Sequence, residues 1–177
     1  MSNPTFDNDG PSPIERTDDP ETLARRADES RKAGRFEDAV ALYERALALD
    51  EKRVGDWINK GLSLWSLHRN EQALECYDRA LALNPRAALA WMNRGNALHD
   101  LKRPYKEALA CYDRALEINP DLAGAWYNKG DELAFMGFYT DAIKCFEKAR
   151  ELGMADADRL IRRCREIVMG DMNEITP

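Results

Sequence analysis

The chain has 177 residues, 44% of them hydrophobic and 33% charged, with a formal net charge of −6 at pH 7. That length suits a single domain, and the composition is ordinary for a soluble, helix-rich protein. No apolar run approaches the roughly 20 residues a membrane-spanning helix needs, and the start, MSNPTFDNDG, lacks the basic and apolar regions of a secretory signal, so no membrane partner and a cytoplasmic location are expected.

Residues 1–19 carry Pro4, Pro11 and Pro13, few apolar side chains, and the acids Asp7, Asp9, Glu15, Asp18 and Asp19 against Arg16 alone. Such a segment buries too little surface to offset its ordering entropy and is expected to be a disordered acidic tail. It takes most of the chain's negative charge, which leaves a body close to neutral. Nucleic acid is therefore excluded as an expected partner, because its phosphates demand a concentrated basic face.

Beyond the tail the sequence repeats. Trp57, Trp91 and Trp126 stand 34 and 35 residues apart, and each is followed four residues later by Gly61, Gly95 or Gly130. Downstream lie Ala73, Ala108 and Ala142, then Tyr77, Tyr112 and Phe146, then Ala80, Ala115 and Ala149, with Pro85 and Pro120 closing two units. Small residues on facing positions let two helices approach closely, and the large rings fill the space between them at interior density. A period near 34 residues with these columns resembles the tetratricopeptide repeat, in which each unit is a pair of antiparallel helices. The resemblance implies an all-α, right-handed superhelical solenoid spanning residues 20–169, with units 20–53, 54–87, 88–122 and 123–156, a capping helix over 156–169 and a C-terminal tail over 170–177.

The first unit is degenerate. Phe36, Ala39, Tyr43, Ala46 and Leu49 fit one helical face and Gly34 marks the turn before them, but Leu23 replaces the tryptophan, Ala27 the glycine, and Ser30 the leucine of later units. A terminal repeat with one flank in water is expected to fray most easily. The third unit holds one extra residue, assigned to the turn around residues 102–104, with Pro104 suited to the first turn of the following helix. Met154 stands where the fourth unit's closing proline belongs, so Gly153 is expected to end that helix. In the last helix Leu160, Ile161, Cys164, Ile167 and Val168 form one strip, with Asp156 capping its start and Gly170 its end, while Arg159, Arg162, Arg163 and Arg165 face water.

In this family the first helices line a concave groove. The positions that match here are Ile58, Leu62 and Trp65, then Leu89, Met92, Asn96 and His99, then Tyr127, Asp131 and Phe135, with Asn128 beside them. Trp65, Met92, Tyr127 and Phe135 are not needed by the packing columns and make an apolar surface of a kind that marks interaction sites. The expected function is a non-enzymatic adaptor holding a peptide segment of a partner protein. The alternative is a structural or self-assembling protein, a homo-oligomer whose groove or outer face pairs with a second copy or with its own tail through Phe6 and Ile14. The carboxylate clamp with which one subgroup holds acidic chaperone C-termini is not expected: Asn96, Asn128 and Arg162 match it, but Met92 and Asp158 replace its two lysines.

No catalytic, metal or cofactor motif is present. His68 and His99 have no evident partner in the sequence, and general acid–base work requires one. Cys76, Cys111 and Cys145 share a column and Cys164 lies beyond them. Column mates sit a helix pair apart, over the ~7 Å Cα limit of a disulfide, and no CxxC supports zinc, so buried free thiols are expected. Asn59, Asn93 and Asn128 recur two residues after each tryptophan, a pattern expected of bonds to a neighbouring helix.

Overall fold

The computed structural model describes residues 19–174, and these fold as helices joined by short turns. They run in order as α1 (Pro20–Lys32), α2 (Phe36–Leu49), α3 (Val54–Ser66), α4 (Asn70–Leu83), α5 (Ala88–Asp100), α6 (Tyr105–Ile118), α7 (Ala123–Phe135), α8 (Tyr139–Glu151) and α9 (Ala157–Glu174). Each helix packs on the next, and the first helices of successive pairs also touch, α1 on α3, α3 on α5 and α5 on α7. The result is the expected stack of antiparallel pairs.

The small-residue columns are where the pairs close. A Cβ placed on Gly61 would lie 2.5 Å from Cε1 of Tyr77, one on Gly95 2.5 Å from Cε1 of Tyr112, and one on Gly130 2.8 Å from Cε1 of Phe146. Nothing larger than hydrogen fits. Tyr77 and Phe146 are fully buried and Tyr112 is nearly so, seated among alanines that are also inaccessible. Between units, each tryptophan indole N–H donates to a backbone carbonyl six residues earlier: Trp57 to Glu51 at 2.9 Å, Trp91 to Pro85 at 2.9 Å and Trp126 to Pro120 at 2.8 Å. A ladder of ion pairs repeats beside them, Lys60 to Glu44 at 3.0 Å, Arg94 to Asp78 at 2.8 Å and Lys129 to Asp113 at 2.6 Å, each joining a first helix to the second helix before it.

Within each pair the turn is closed by a backbone bond across the helix end, such as Arg69 N–H to Leu64 C=O at 2.9 Å and Arg103 N–H to Leu98 C=O at 3.1 Å. This Schellman geometry needs one left-handed residue. Gly34 and Gly137 supply it in the first and fourth pairs, but His68 and Lys102 do so in the second and third, with φ of 57° and 53°. The α5–α6 turn has four residues where the others have three, which accommodates the additional residue of that unit. Gly153, with φ of 100°, ends α8 as expected.

Several expectations need correction. Asp19 is not part of the tail: its carboxylate accepts from the Thr22 N–H at 2.9 Å and caps α1. The rest of that tail lies outside the described residues, as do residues 175–177. Pro104 precedes α6 as its cap residue and does not enter the first turn. Leu49 is 60% exposed, and the buried face of α2 is completed by Val40 and Leu47 instead. Gly170 does not end the last helix, because α9 continues to Glu174. Its strip is nonetheless seated, with Ala157, Ile161 and Cys164 buried against Ala142, Phe146 and Ala149 of α8. All four cysteines are free and buried, and burial pushes the Cys76 thiol up to about 11.

Candidate functional site

The first helices α3, α5 and α7 stand side by side, so residues one helical turn apart on each come together on one face. At its centre is a cavity of about 190 Å³ lined by Trp65, Asn96, His99, Asp100, Tyr112, Asn128, Asp131 and Glu132. Five of the expected site residues, Trp65, Asn96, His99, Asn128 and Asp131, therefore meet. The indole N–H of Trp65 donates to Oδ2 of Asp100 at 2.6 Å, which fixes the ring at the rim, where it is 37% exposed. Asn96 Oδ1 accepts from the Tyr112 hydroxyl at 3.1 Å and from Nδ2 of Asn128 at 2.7 Å. Asn59 makes the same kind of bridge, to Asp28 on α1 at 3.1 Å. The recurring asparagines thus bond to the neighbouring first helix at two of three units, while Asn93 is buried.

The floor of the cavity was not foreseen. His99 has a partner after all: its Nδ1 lies 2.6 Å from Oε2 of Glu132, a hydrogen bond between α5 and α7. Glu132 is 1% exposed, and its other oxygen, Oε1, is buried without a hydrogen-bond partner. Leaving a buried polar atom unpaired costs about 1–3 kcal/mol, more for a charged one. The sequence did carry a signal. Glu132 stands six residues after its tryptophan, and the same column holds the fully buried Ser63 and Ala97, so a carboxylate there is out of pattern. Burial, with the negative field of Glu132, Asp100 and Asp131, raises the Tyr112 phenol far above its usual value.

The other expected residues lie elsewhere, and the surface is less apolar than the pattern suggested. Phe135 is 67% exposed and leans on Tyr105, with ring centroids 5.2 Å apart, and on the edge of His99 at 6.3 Å. Together with Asp131 it borders a second cavity of about 210 Å³ between α7, α8 and α9. Leu89 is 51% exposed. Leu62 is half-buried, and Ile58 packs on Ala80, Leu81 and Ala90. Met92 and Tyr127, read as free of the packing columns, are engaged in packing. Met92 lies against Leu98, Cys111 and Tyr112 with its sulfur beside Gly124, and Tyr127 meets Phe146 edge-on at 5.6 Å. Of the four expected anchors, Trp65 and Phe135 remain at the surface.

Among the described residues no group of three or more His, Cys, Asp or Glu is arranged to hold a metal ion, and no helix is long and apolar enough to cross a membrane.

Comparison with known proteins places this arrangement. No match was found among curated protein sequences. Among solved structures the chain is similar to the MamA protein, at 23% identity and a TM-score of 0.72 over 83% of this chain and 81% of that one. It is also similar to YrrB, described as a TPR protein with an unusual peptide-binding site, at 23% identity and 0.68 over 88% and 80%. A third is the first TPR of Spaghetti (RPAP3), bound to the HSP90 peptide SRMEEVD, at 22% identity and 0.64 over 67% and 93%. Models of the tetratricopeptide repeat match residues 20–53, 58–123 and 123–152. With the glycine–ring columns, the indole bonds and the paired helices already seen, the chain belongs to the tetratricopeptide repeat family.

Proposed function

We propose that the chain is a non-enzymatic protein-interaction module that holds a peptide segment of a partner on the face formed by α3, α5 and α7. The observation that carries this reading is exposed Trp65 at the rim of a polar cavity, with exposed Phe135 packed on the edge of His99 from that same cavity's wall, apolar surface beside hydrogen-bonding groups as binding sites commonly have. The peptide named with the Spaghetti repeat and the binding site named for YrrB support a groove function for this architecture. The acidic-peptide clamp finds no support. Met92 is packed where one lysine belongs, and Asp158, which contacts Arg150 at 3.3 Å, stands in place of the other.

Selection from a displayed library of random 12-residue peptides tests the proposal. Peptides that bind the full chain are expected to lose binding to a Trp65→Ala, Phe135→Ala double variant whose circular dichroism and melting are unchanged. Undiminished binding rejects the groove. Both substitutions fall on exposed side chains, whereas Tyr127 packs on Phe146 and a change there confounds folding with binding.

A further inference from the structure

We propose that the cavity beside Trp65 receives the basic side chain of a lysine or arginine in the partner peptide, with Glu132 as its buried counter-charge. This rests on the groove reading and names what the groove selects.

Hydrogen-bond capacity points to a donor. The Tyr112 hydroxyl and the Asn128 amide are directed at Asn96 Oδ1, the Trp65 indole at Asp100, and the imidazole Nδ1 of His99 at Glu132 Oε2. Among the buried side-chain atoms of the wall, the one left without a partner is an acceptor, Glu132 Oε1, on a side chain that is 99% buried and lines the cavity. Ammonium and guanidinium groups carry donors and no acceptor, so they complete this set where a carboxylate or carbonyl cannot.

Charge points the same way. Asp100, Asp131 and Glu132 all line the cavity, His99 is the only basic residue among its lining groups, and no lysine or arginine lines it. Arg163 of α9 borders the adjacent cavity together with Asp131 but does not reach this one. A cation with an alkyl stem also suits the rim. Trp65 is held by Asp100 with its ring exposed, and indole faces attract ammonium and guanidinium groups. At about 190 Å³ the space holds several waters of ~30 Å³ each, and so a chain of methylenes with its charged head.

The peptides selected on the full chain supply the test. They are expected to share a lysine or arginine at one position, and replacing it with norleucine, which keeps the stem and removes the charge, is expected to weaken binding by about tenfold or more, the scale on which losing a buried, charge-assisted contact acts. Glu132→Gln and Asp131→Asn are each expected to weaken the lysine peptide and to leave its norleucine counterpart unchanged. Asp131 is exposed, so its variant stays informative if the buried Glu132 substitution impairs folding. Three results overturn the proposal: selected peptides with no shared basic residue, a norleucine peptide that binds as tightly, or a stable Asp131→Asn chain that binds the lysine peptide undiminished. Peptides that depend on Trp65 and Phe135 but not on a cation reject it and leave the groove standing. Peptides that ignore Trp65 and Phe135 altogether reject both.

Discussion

Gly95 lies so close under the ring of Tyr112 that a methyl group on it would stand 2.5 Å from Cε1, well inside any real carbon–carbon contact. The ring has nowhere to retreat, since Tyr112 is buried and its hydroxyl is tied to Asn96 at 3.1 Å. Gly95→Ala is therefore expected to destabilise the chain by about 1–3 kcal/mol, the usual range for overpacking. Tyr112→Leu in the same chain is expected to recover part of that loss by withdrawing the clash. Urea denaturation of the single and double variants measures both, and additive losses would show that glycine is needed there for some other reason.

The same relationship explains how much was legible beforehand. Gly61, Gly95 and Gly130 face Tyr77, Tyr112 and Phe146 because a helix pair closes the same way each time, so a local rule is written three times and becomes visible in a single sequence. The site is not periodic. Glu132 and His99 are 33 residues apart and belong to different columns, and their bond depends on how far α5 and α7 approach. Met92 and Tyr127 show the converse. Their register placed them on the groove helices, but their long side chains reach neighbouring core residues, Tyr127 against Phe146, whereas Phe135, nine residues after its tryptophan, stays at the surface. Trp65 kept the surface place its register implies, 37% exposed with its indole bonded to Asp100 of α5.

Turn chemistry offers a stabilising change. His68 and Lys102 occupy left-handed positions that Gly34 and Gly137 fill in the outer pairs. A side chain with a Cβ costs about 1–2 kcal/mol in that conformation, partly offset by the greater freedom of glycine in the unfolded chain. Lys102→Gly and His68→Gly are each expected to raise stability by about 0.5–1 kcal/mol, or roughly 1–4 °C in melting temperature for a domain of this size. Gly137→Ala is expected to move it the other way. Calorimetry of the three variants checks the sign, and a lower melting temperature for Lys102→Gly contradicts the account.

Burial of the thiols predicts a loss of stability in alkali. The Cys76 thiol is pushed from an ordinary value of 9.0 up to about 11 by removal from water, so the folded chain keeps its proton where the unfolded chain releases it. The unfolded state then binds fewer protons, and stability falls as pH rises. The contribution is intact below about pH 9 and is lost between there and 11. The urea midpoint of the wild type is expected to drop more steeply from pH 8 to pH 10.5 than that of Cys76→Ala, whose other titrating groups are the same. At pH 8 all four thiols are expected to react slowly with a disulfide reagent until urea opens the fold, because only the exposed thiolate attacks. Parallel slopes for wild type and variant refute the linkage.

The bond from His99 to Glu132 sets the last expectation, which concerns folding and not binding. With Oε1 already unpaired, Oε2 depends on the imidazole, so His99→Ala leaves an entire buried carboxylate without a hydrogen bond. A loss of about 2 kcal/mol or more is expected, because a buried polar group is then left with no partner on either oxygen. Removing the charge as well reduces the damage: Glu132→Gln in the His99→Ala background is expected to be more stable than His99→Ala alone, a coupling of about 0.5–3 kcal/mol between residues in direct contact. Denaturation of the four members of this cycle decides the matter. A coupling of zero would mean that the carboxylate is satisfied by water even in the closed stack, and that the 2.6 Å approach of the imidazole adds nothing to the fold.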